Sequence, residues 1–279
     1  MDTRPIGIFD SGVGGLTIRQ AIARQLPSER LIYLADTAHF PYGGREAADL
    51  QTLSLAIVAV LRGLCCKLVV VACNTASVAA LPALRHAHPD LPFVGVVPVV
   101  KLLSERTRSG VIPLLSTPST AGSPYLADLA ARFAPGLRFL SIGCPGLADA
   151  VEAGDTESAA TLTLLRRYLA PVLATGADVL GLGCTHYPFL RPQIEALLGP
   201  AVAVYDSAEP VARRVAALLR DRDALAPPRT PAHSYLVTAD PVQFATVAVA
   251  LTAEPLASLT AIDLAAELTP TRHPHAYER

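Results

Sequence analysis

Two cysteines in this chain stand where an apolar run gives way to a short polar turn. Cys73 lies in the segment ACNTAS, and Cys184 lies in the segment GCTHYP. Each cysteine is predicted at a strand-to-helix turn, and the amino end of a helix lowers the usual thiol pKa of about 8.5. Such a group can act as a base or as an acid near neutral pH. Two such groups on opposite sides of one tetrahedral carbon could remove a proton from one face and return one to the other. The pair therefore predicts inversion of a carbon centre by proton transfer.

The remaining cysteines are interpreted as small buried residues. This is the commonest role of a cysteine in an α/β protein, and we assign it to Cys65, Cys66 and Cys144. Five cysteines are an odd number and none forms a CxxC pair, which argues against a disulfide framework and a structural zinc site. A hydrolase with one nucleophilic cysteine is an alternative, but it would use only one of the two polar turns. We expect free thiols and no metal.

Cofactor chemistry has few residues to draw on in this sequence. Pyridoxal phosphate enzymes need a lysine for the Schiff base, and Lys67 and Lys101 are the only lysines. The glycine-rich turn FDSGVGGL, with Asp36 closing the next strand, resembles a dinucleotide fingerprint. Its third glycine is missing, and Asp10 places a negative charge where a pyrophosphate would lie. A nicotinamide enzyme stays an alternative, and no cofactor is expected.

Short apolar runs rich in β-branched residues alternate with longer helical patterns, which is typical of an α/β protein with parallel strands. The predicted strands end at Asp10, Asp36, Cys73 and Val97, and then at Thr117, Cys144, Cys184 and Asp206. The steps between these ends are 26, 37 and 24 residues in the first set and 27, 40 and 22 in the second. The spacing predicts two copies of one four-strand unit, although the strands of any α/β protein recur at comparable intervals.

The repeated unit predicts two pseudo-symmetric domains, each a parallel-rich sheet flanked by helices. We assign residues 1–98 and 208–279 to the first domain and residues 99–207 to the second, because a helix, a strand and another helix follow Asp206 and would pack on the first unit. Ligands of open parallel sheets bind outside the carboxyl ends of the strands. Two facing units would therefore present Cys73 and Cys184 to one cleft. Residues 269–279, polar and proline-containing, are expected to be loose.

Composition argues against several classes of protein. The 23 basic and 24 acidic residues leave a net charge of −1, which gives no general attraction to nucleic acid or to an anionic membrane. The longest apolar stretch, residues 53–73, is interrupted by Arg62 and Lys67 and falls short of a membrane-spanning helix. The amino terminus lacks the basic and apolar regions of a secretory signal. We expect a soluble, cytoplasmic protein without nucleic-acid or membrane partners.

Several segments together resemble the glutamate racemase family of the aspartate/glutamate racemase superfamily. The matching segments are GIFDSGVGGLT (7–17), ADTAHFPYG (35–43), VVACNTAS (70–77), GCTHYPFL (183–190) and YDSA (205–208). Weaker matches are STPST (116–120) and CPGLADAVEAG (144–154). The resemblance spans residues 6 to about 210, and both cysteine motifs occur in the family's order. It implies a fold of two facing α/β domains with the active site between them.

The resemblance also implies a role for each matching residue. Cys73 would take the proton from D-glutamate, and Cys184 would take it from L-glutamate. Asp10 would assist Cys73, while His186, supported by Glu152, would assist Cys184. The carboxylates and the amino group of the substrate would be bound by Asp10, Ser11, Tyr42, Gly43, Asn74, Thr75, Thr120, Thr185 and His186. For Tyr42 and Gly43, the backbone atoms would make the contact.

The family resemblance carries further expectations about product, partner and regulation. The substrate pair would be L- and D-glutamate, the product D-glutamate would serve peptidoglycan synthesis, and the protein would be a homodimer. The residues His39 and Ser119 depart from the family's commoner arginine and small residue, so substrate affinity could differ. No long amino-terminal extension precedes the first strand, so we expect no activation by a cell-wall precursor. Alternatives are racemisation of aspartate or another acidic amino acid, and an added role in binding DNA gyrase.

Overall fold

The structure is a computed structural model that describes residues 1–265 of the 279-residue chain. The chain end predicted to be loose, residues 269–279, lies outside the described residues. Within residues 1–265, no helix is long and apolar enough to cross a membrane.

A six-stranded parallel sheet is the centre of the first of two α/β units. Its strands are β1 (Ile6–Asp10), β2 (Leu31–Ala35), β3 (Leu68–Val71), β4 (Phe93–Gly95), β9 (Ser234–Val237) and β10 (Leu259–Ala261). They are hydrogen-bonded in the order β10-β9-β2-β1-β3-β4. The central strand β1 is buried along its whole length, as expected for a strand with helices on both faces of its sheet. Strand β9 pairs with β2, so the chain after residue 208 does return to the first unit.

A four-stranded parallel sheet is the centre of the second α/β unit. Its strands are β5 (Val111–Ser116), β6 (Arg138–Gly143), β7 (Val179–Leu182) and β8 (Ala203–Tyr205). The hydrogen-bonded order is β6-β5-β7-β8. The first unit contains the same arrangement, β2-β1-β3-β4, so the two copies of one four-strand unit are confirmed at the level of topology. The cysteines follow equivalent strands, because Cys73 comes after β3 and Cys184 comes after β7.

Helices connect the strands and cover the sheets. They are α1 (Leu16–Gln25), α2 (Ala47–Gly63), α3 (Asn74–Ala87), α4 (Val100–Arg106), α5 (Pro118–Ala121), α6 (Pro124–Phe133), α7 (Leu147–Glu152), α8 (Ala159–Ala174), α9 (Arg191–Leu198), α10 (Ala208–Asp221) and α11 (Pro241–Thr252). Local sequence explains several of their starts. Ser123 and Ser158 each accept a hydrogen bond from a backbone N–H of the first turn of the helix that follows, which satisfies a donor that has no partner within the helix.

The boundaries differ from the sequence-based predictions by small amounts. Strands β3, β4 and β7 end two residues before the predicted ends at Cys73, Val97 and Cys184, a difference of the size expected at strand ends. The larger difference follows Cys184. A 3₁₀ turn over Tyr187–Leu190, which contains Pro188, separates that cysteine from α9, so Cys184 is not at the amino end of an α-helix as predicted.

The two α/β units share an apolar core. The largest cluster of buried apolar side chains joins Val13 and Leu16 of the first unit to Val151 and Leu190 of the second. Burial of apolar side chains is the main favourable contribution to folding. The shared cluster therefore also sets the position of one unit against the other. The exact domain boundaries at residues 98 and 207 stay a prediction.

A buried ion pair ties the chain together at the amino ends of the strands. Lys67 Nζ lies 2.7 Å from Glu29 Oε2, and both side chains are almost fully buried. The same ammonium donates hydrogen bonds to the carbonyl oxygens of Asp2 and Ala224, each at 2.7 Å. Glu29 Oε1 accepts from the Ala226 N–H at 2.8 Å. These bonds compensate the cost of burying the two charges.

Removing one partner of this pair should destabilise the fold. The Glu29→Ala variant leaves the Lys67 ammonium buried without its counter-ion, and we expect a loss of about 3–5 kcal/mol in the free energy of unfolding. Urea unfolding would measure it. Glu105→Ala is the matched control, because Glu105 pairs with Lys101 on the surface, and exposed pairs contribute little. Equal urea midpoints for the two variants would contradict this role of the buried pair.

Candidate active site

A cavity of about 140 Å³ opens between the carboxyl ends of the two sets of strands. Both Cys73 and Cys184 line it, one from each sheet. The predicted site residues that line the same cavity are Ser11, Tyr42, Gly43, Asn74, Thr75, Thr185 and His186. The chain thus brings together residues separated by up to 175 positions. This is the location that open parallel sheets provide for a ligand.

Cys73 is the residue immediately before α3, and its side chain is buried. Burial raises the pKa of the Cys73 thiol well above its ordinary value, and the nearby Asp10 carboxylate raises it further. The backbone N–H groups of Ala76 and Thr75 oppose this rise. The sequence-based expectation that the helix start lowers the pKa of this thiol is therefore wrong in net direction, because loss of hydration outweighs the helix terminus.

Cys184 has a different set of neighbours. Its sulfur lies 3.8 Å from His186 Nδ1, and His186 Nε2 lies 2.9 Å from Glu152 Oε2. Burial alone would lower the pKa of His186, but its hydrogen bonds with Cys184 and Glu152 outweigh that effect, and the pKa is raised well above that of a free imidazole. An imidazolium here can donate one N–H to a thiolate and the other to the Glu152 carboxylate.

The first domain holds this histidine–carboxylate pair through its glycine-rich turn. The Val13 N–H donates to Glu152 Oε2 at 2.9 Å. A Cβ atom at Gly12 would overlap the Glu152 carboxylate, and one at Gly14 would overlap the His186 ring. The glycines are thus needed for close approach of backbone to side chains. Since Glu152 and His186 occupy the open face of the turn, it has no room for the pyrophosphate that a dinucleotide site requires.

Asp10, at the end of β1, forms a second contact between the two domains. It is fully buried and accepts hydrogen bonds from the Ser11 N–H at 2.7 Å and from Thr185 Oγ1 at 2.9 Å. Burial raises the pKa of its carboxyl, while the charge of His186 and the hydrogen bonds lower it. Asp10 therefore lies behind the cavity wall, between Ser11 of one domain and Thr185 of the other.

The turn that follows β2 is anchored by a second buried carboxylate. Asp36 accepts hydrogen bonds from Tyr42 Oη at 2.7 Å and from Thr238 Oγ1 at 2.8 Å, and it lies 2.8 Å from His39 Nδ1. The peptide bond between Phe40 and Pro41 is cis. The Tyr42 hydroxyl is thus engaged by Asp36, and both Tyr42 and Gly43 line the cavity.

One buried polar atom in the cavity wall has no partner among residues 1–265. Asn74 Oδ1 is buried and accepts no hydrogen bond from the protein. Buried acceptors are almost always satisfied in native proteins. A ligand donor such as an ammonium group would satisfy this one.

Three of the predicted site residues do not line the cavity: Asp10, which lies behind its wall, Thr120 and Glu152. Thr120 is buried behind Thr117, whose Oγ1 lies 3.1 Å from its own, and Thr117 lines the cavity instead. Glu152 lies behind His186. Sequence reasoning missed Thr117, Phe40 and the carboxylate Asp149 as lining residues; for Thr117 the signal was present, because it was placed at the end of a predicted strand.

Cys144 also borders the cavity, yet its properties fit the structural role predicted for it. Its side chain is buried, and its thiol donates to the Ile142 carbonyl oxygen at 3.5 Å. Burial raises the pKa of Cys144 to about 12. Only a very small fraction is therefore thiolate at neutral pH. Within residues 1–265, no group of three or more His, Cys, Asp or Glu side chains is placed to hold a metal ion.

The fold and this pair of thiols define an amino-acid racemase-type protein, and the chain belongs to the Asp/Glu/Hydantoin racemase family, whose model matches residues 16–215. A protein of Roseiflexus sp. named glutamate racemase is 46% identical over 244 residues, which cover 87% of this chain and 90% of that protein.

Comparison with solved structures also finds proteins of the racemase family. Glutamate racemase isoform RacE1 from Bacillus anthracis superposes with a TM-score of 0.86 at 33% identity, over 95% of this chain and 99% of the other. Glutamate racemase from Francisella tularensis, solved in complex with D-glutamate, gives a TM-score of 0.85 at 27% identity, over 95% and 100% of the two chains. The family and the fold class expected from the sequence are confirmed.

The raised pKa of His186 can be measured directly. We expect the imidazole to stay protonated well above pH 6.5, the usual range for a free histidine, when its ¹⁵N shifts are followed against pH. In Glu152→Gln the pKa should fall, because the ring loses a negatively charged acceptor. Glu157→Gln, which alters an exposed carboxylate near the same helix end, is the matched control. An unchanged titration in Glu152→Gln would show that Glu152 does not set the charge of His186.

Proposed function

We propose that this protein interconverts L- and D-glutamate without a cofactor, by proton transfer at the α-carbon between Cys73 and Cys184. The observation that carries the proposal is that two equivalent positions of a repeated unit bring one thiol each to a single cavity. The named activity of the Roseiflexus and Bacillus anthracis relatives supports glutamate as the substrate. The complex of the Francisella protein with D-glutamate supports the same choice.

The reaction needs one group on each face of the carbon. In the L-to-D direction, the Cys184 thiolate takes the α-proton and becomes a thiol, while the Cys73 thiol gives its proton to the opposite face and becomes a thiolate. The D-to-L direction reverses both transfers. No proton is gained or lost overall, and each sulfur serves as base in one direction and as acid in the other.

The neighbours of the two thiols suit them to these roles in different ways. Burial keeps Cys73 predominantly protonated, which makes it the acid for an incoming L-enantiomer. The His186 imidazolium, held by Glu152, lies beside Cys184 and can stabilise a thiolate there. We assign His186 and Glu152 to the Cys184 half of the reaction and Asp10 to the Cys73 half.

The polar lining would hold the substrate. Ser11, Thr75 and Thr185 border the cavity. The hydroxyl groups of Ser11 and Thr75 can donate to carboxylates, whereas the Thr185 hydroxyl donates to Asp10 and the Thr185 backbone N–H would serve the substrate. Backbone N–H groups near Tyr42 and Gly43 would do the same. The unpartnered Asn74 Oδ1 would accept from the α-ammonium. Thr120 would not contact the substrate itself. It would orient Thr117, which lines the cavity.

Further parts of the proposal concern substrate range and cellular role. Aspartate would use the same two thiols and differ only in the pocket for the side-chain carboxylate, so it is the alternative substrate. We propose that the product D-glutamate enters peptidoglycan synthesis, that the protein works in the cytoplasm, and that it forms a homodimer. Binding of DNA gyrase is an alternative role with no specific support.

Racemisation in D₂O tests the function. The purified, reduced protein should convert L-glutamate to D-glutamate carrying solvent deuterium at the α-carbon, followed by optical rotation and NMR. Cys73→Ser and Cys184→Ser should each lower the rate by at least about 10²-fold, the usual contribution of an acid–base group. Cys65→Ser, at an exposed thiol far from the cavity, is the matched control.

The outcomes of this experiment separate the alternatives. Activity on L-aspartate alone would keep the two-thiol chemistry and replace the substrate. Exchange on neither amino acid, from folded protein with free thiols, would refute the proposed enzyme activity. A Cys65→Ser variant as inactive as the other two would refute the specific assignment of Cys73 and Cys184.

The glycine-rich turn should matter for rate more than for affinity. In Gly12→Ala, the new Cβ displaces the Glu152 carboxylate, and a misplacement of this size near the reacting groups can cost about 10²-fold in kcat. KM should change little, because Gly12 does not line the cavity. Gly63→Ala, where an added Cβ meets nothing within 4 Å, is the control. A Gly12→Ala enzyme with an unchanged kcat would contradict the positioning role of this turn.

A further inference from the structure

A second cavity, of about 280 Å³, lies on the far side of the histidine–carboxylate pair from the substrate cavity. We call it the rear cavity and define it by Val13, Phe40, Glu152, Gln243, Phe244 and Val247, which line it. Glu152 borders this cavity and does not border the substrate cavity, whereas His186 borders the substrate cavity alone. The pair therefore spans the wall between the two spaces.

An aromatic side chain completes the wall between the cavities. Phe40 lines both cavities, and its ring packs against the His186 ring with centroids 5.7 Å apart. The His186 side chain is 3% exposed and the Glu152 side chain is 16% exposed. Solvent thus reaches the carboxylate, while the imidazole is sealed between the ring and the thiol.

The polar atoms of this wall form a continuous chain of hydrogen-bonding contacts. It runs from Cys184 Sγ to His186 Nδ1 over 3.8 Å, and from His186 Nε2 to Glu152 Oε2 over 2.9 Å. The other charged group of the rear cavity, Asp240, is exposed and accepts from the Gln243 N–H at the start of α11. It does not interrupt the path between Glu152 and solvent.

A two-thiol racemase needs such a path after every turnover. When an L-to-D turnover ends, Cys184 carries a proton and Cys73 lacks one, which is the form that accepts the D-enantiomer. Before another L-enantiomer can react, Cys184 must lose its proton and Cys73 must gain one. If this reset is slower than substrate binding, an L-enantiomer binds to the form in which Cys184 is still protonated. It cannot react there, and the enzyme is held in an unproductive complex.

We propose that the rear cavity is a solvent port through which Cys184 exchanges its proton between turnovers, by way of His186 and Glu152. While Cys184 carries its proton, His186 is the neutral imidazole with its proton on Nε2. The sulfur then gives its proton to Nδ1 and becomes a thiolate, His186 releases the Nε2 proton to Glu152, and Glu152 passes a proton to water in the port. The same path delivers a proton in the opposite direction of turnover. This inference rests on the proposed racemisation, and it makes Glu152 a proton-transfer group as well as a support for His186.

Closing the port tests the proposal without touching the path itself. Gln243 is exposed at the rim of the rear cavity, so Gln243→Trp should fill it, and Val247→Phe fills it from within. The racemisation rate is measured as glutamate is raised far beyond saturation. The unsubstituted chain should hold a constant rate. In the filled variants the rate should fall by about tenfold at the highest concentrations, equal to about 1.4 kcal/mol on the barrier of the reset.

The rate at low substrate should be unchanged in the filled variants, because the reset limits turnover only when substrate traps the wrong form. Thr246→Trp, on the exposed face of the same helix and away from the port, is the control and should behave as the unsubstituted chain. A constant rate at high substrate in both filled variants would overturn the port, and so would an equal loss at low and high substrate. If the unsubstituted chain racemised no glutamate at all, the proposed function itself would fail, and the port with it.

Discussion

The contact between the glycine-rich turn of the first domain and the Glu152–His186 pair of the second is the constraint on which the site depends. It requires residues without a Cβ at Gly12 and Gly14, because side chains of the other domain fill that space. It gives Glu152 a backbone donor at Val13. The same contact places the His186 ring 3.8 Å from the sulfur of Cys184 and joins it to the domain that carries Cys73.

Topological symmetry does not extend to the electrostatics of the two thiols. The strand orders β2-β1-β3-β4 and β6-β5-β7-β8 are equivalent, yet Cys73 has a buried carboxyl beside it and Cys184 has an imidazole. Burial raises the pKa of Cys73, whereas two hydrogen bonds keep His186 protonated. In the proposed reaction, the two faces of the substrate would therefore meet unlike acid–base partners, and their proton balance with solvent would become part of the catalytic cycle.

Much of the fold followed from patterns that are local in the chain. The apolar runs before Cys73 and Cys184 predict strands, and their spacing predicts the repeat that the strand order confirms. What could not be predicted depends on contacts between distant residues. The direction of the pKa shift at Cys73 depends on how fully two domains bury it, and the wall made by Phe40 depends on where the ring meets His186. No spacing rule in one sequence reports either contact.

We propose that two thiols, one from each domain, face opposite sides of the substrate α-carbon. A crystal structure of this protein with D-glutamate bound would test it most directly. We predict the α-carbon between the two sulfurs, with Cys73 Sγ and Cys184 Sγ approaching it from opposite faces at about 3.5 Å, a distance suited to reaction. Glutamate bound with both sulfurs on one face, or with either thiol out of reach of the α-carbon, would contradict the two-thiol mechanism.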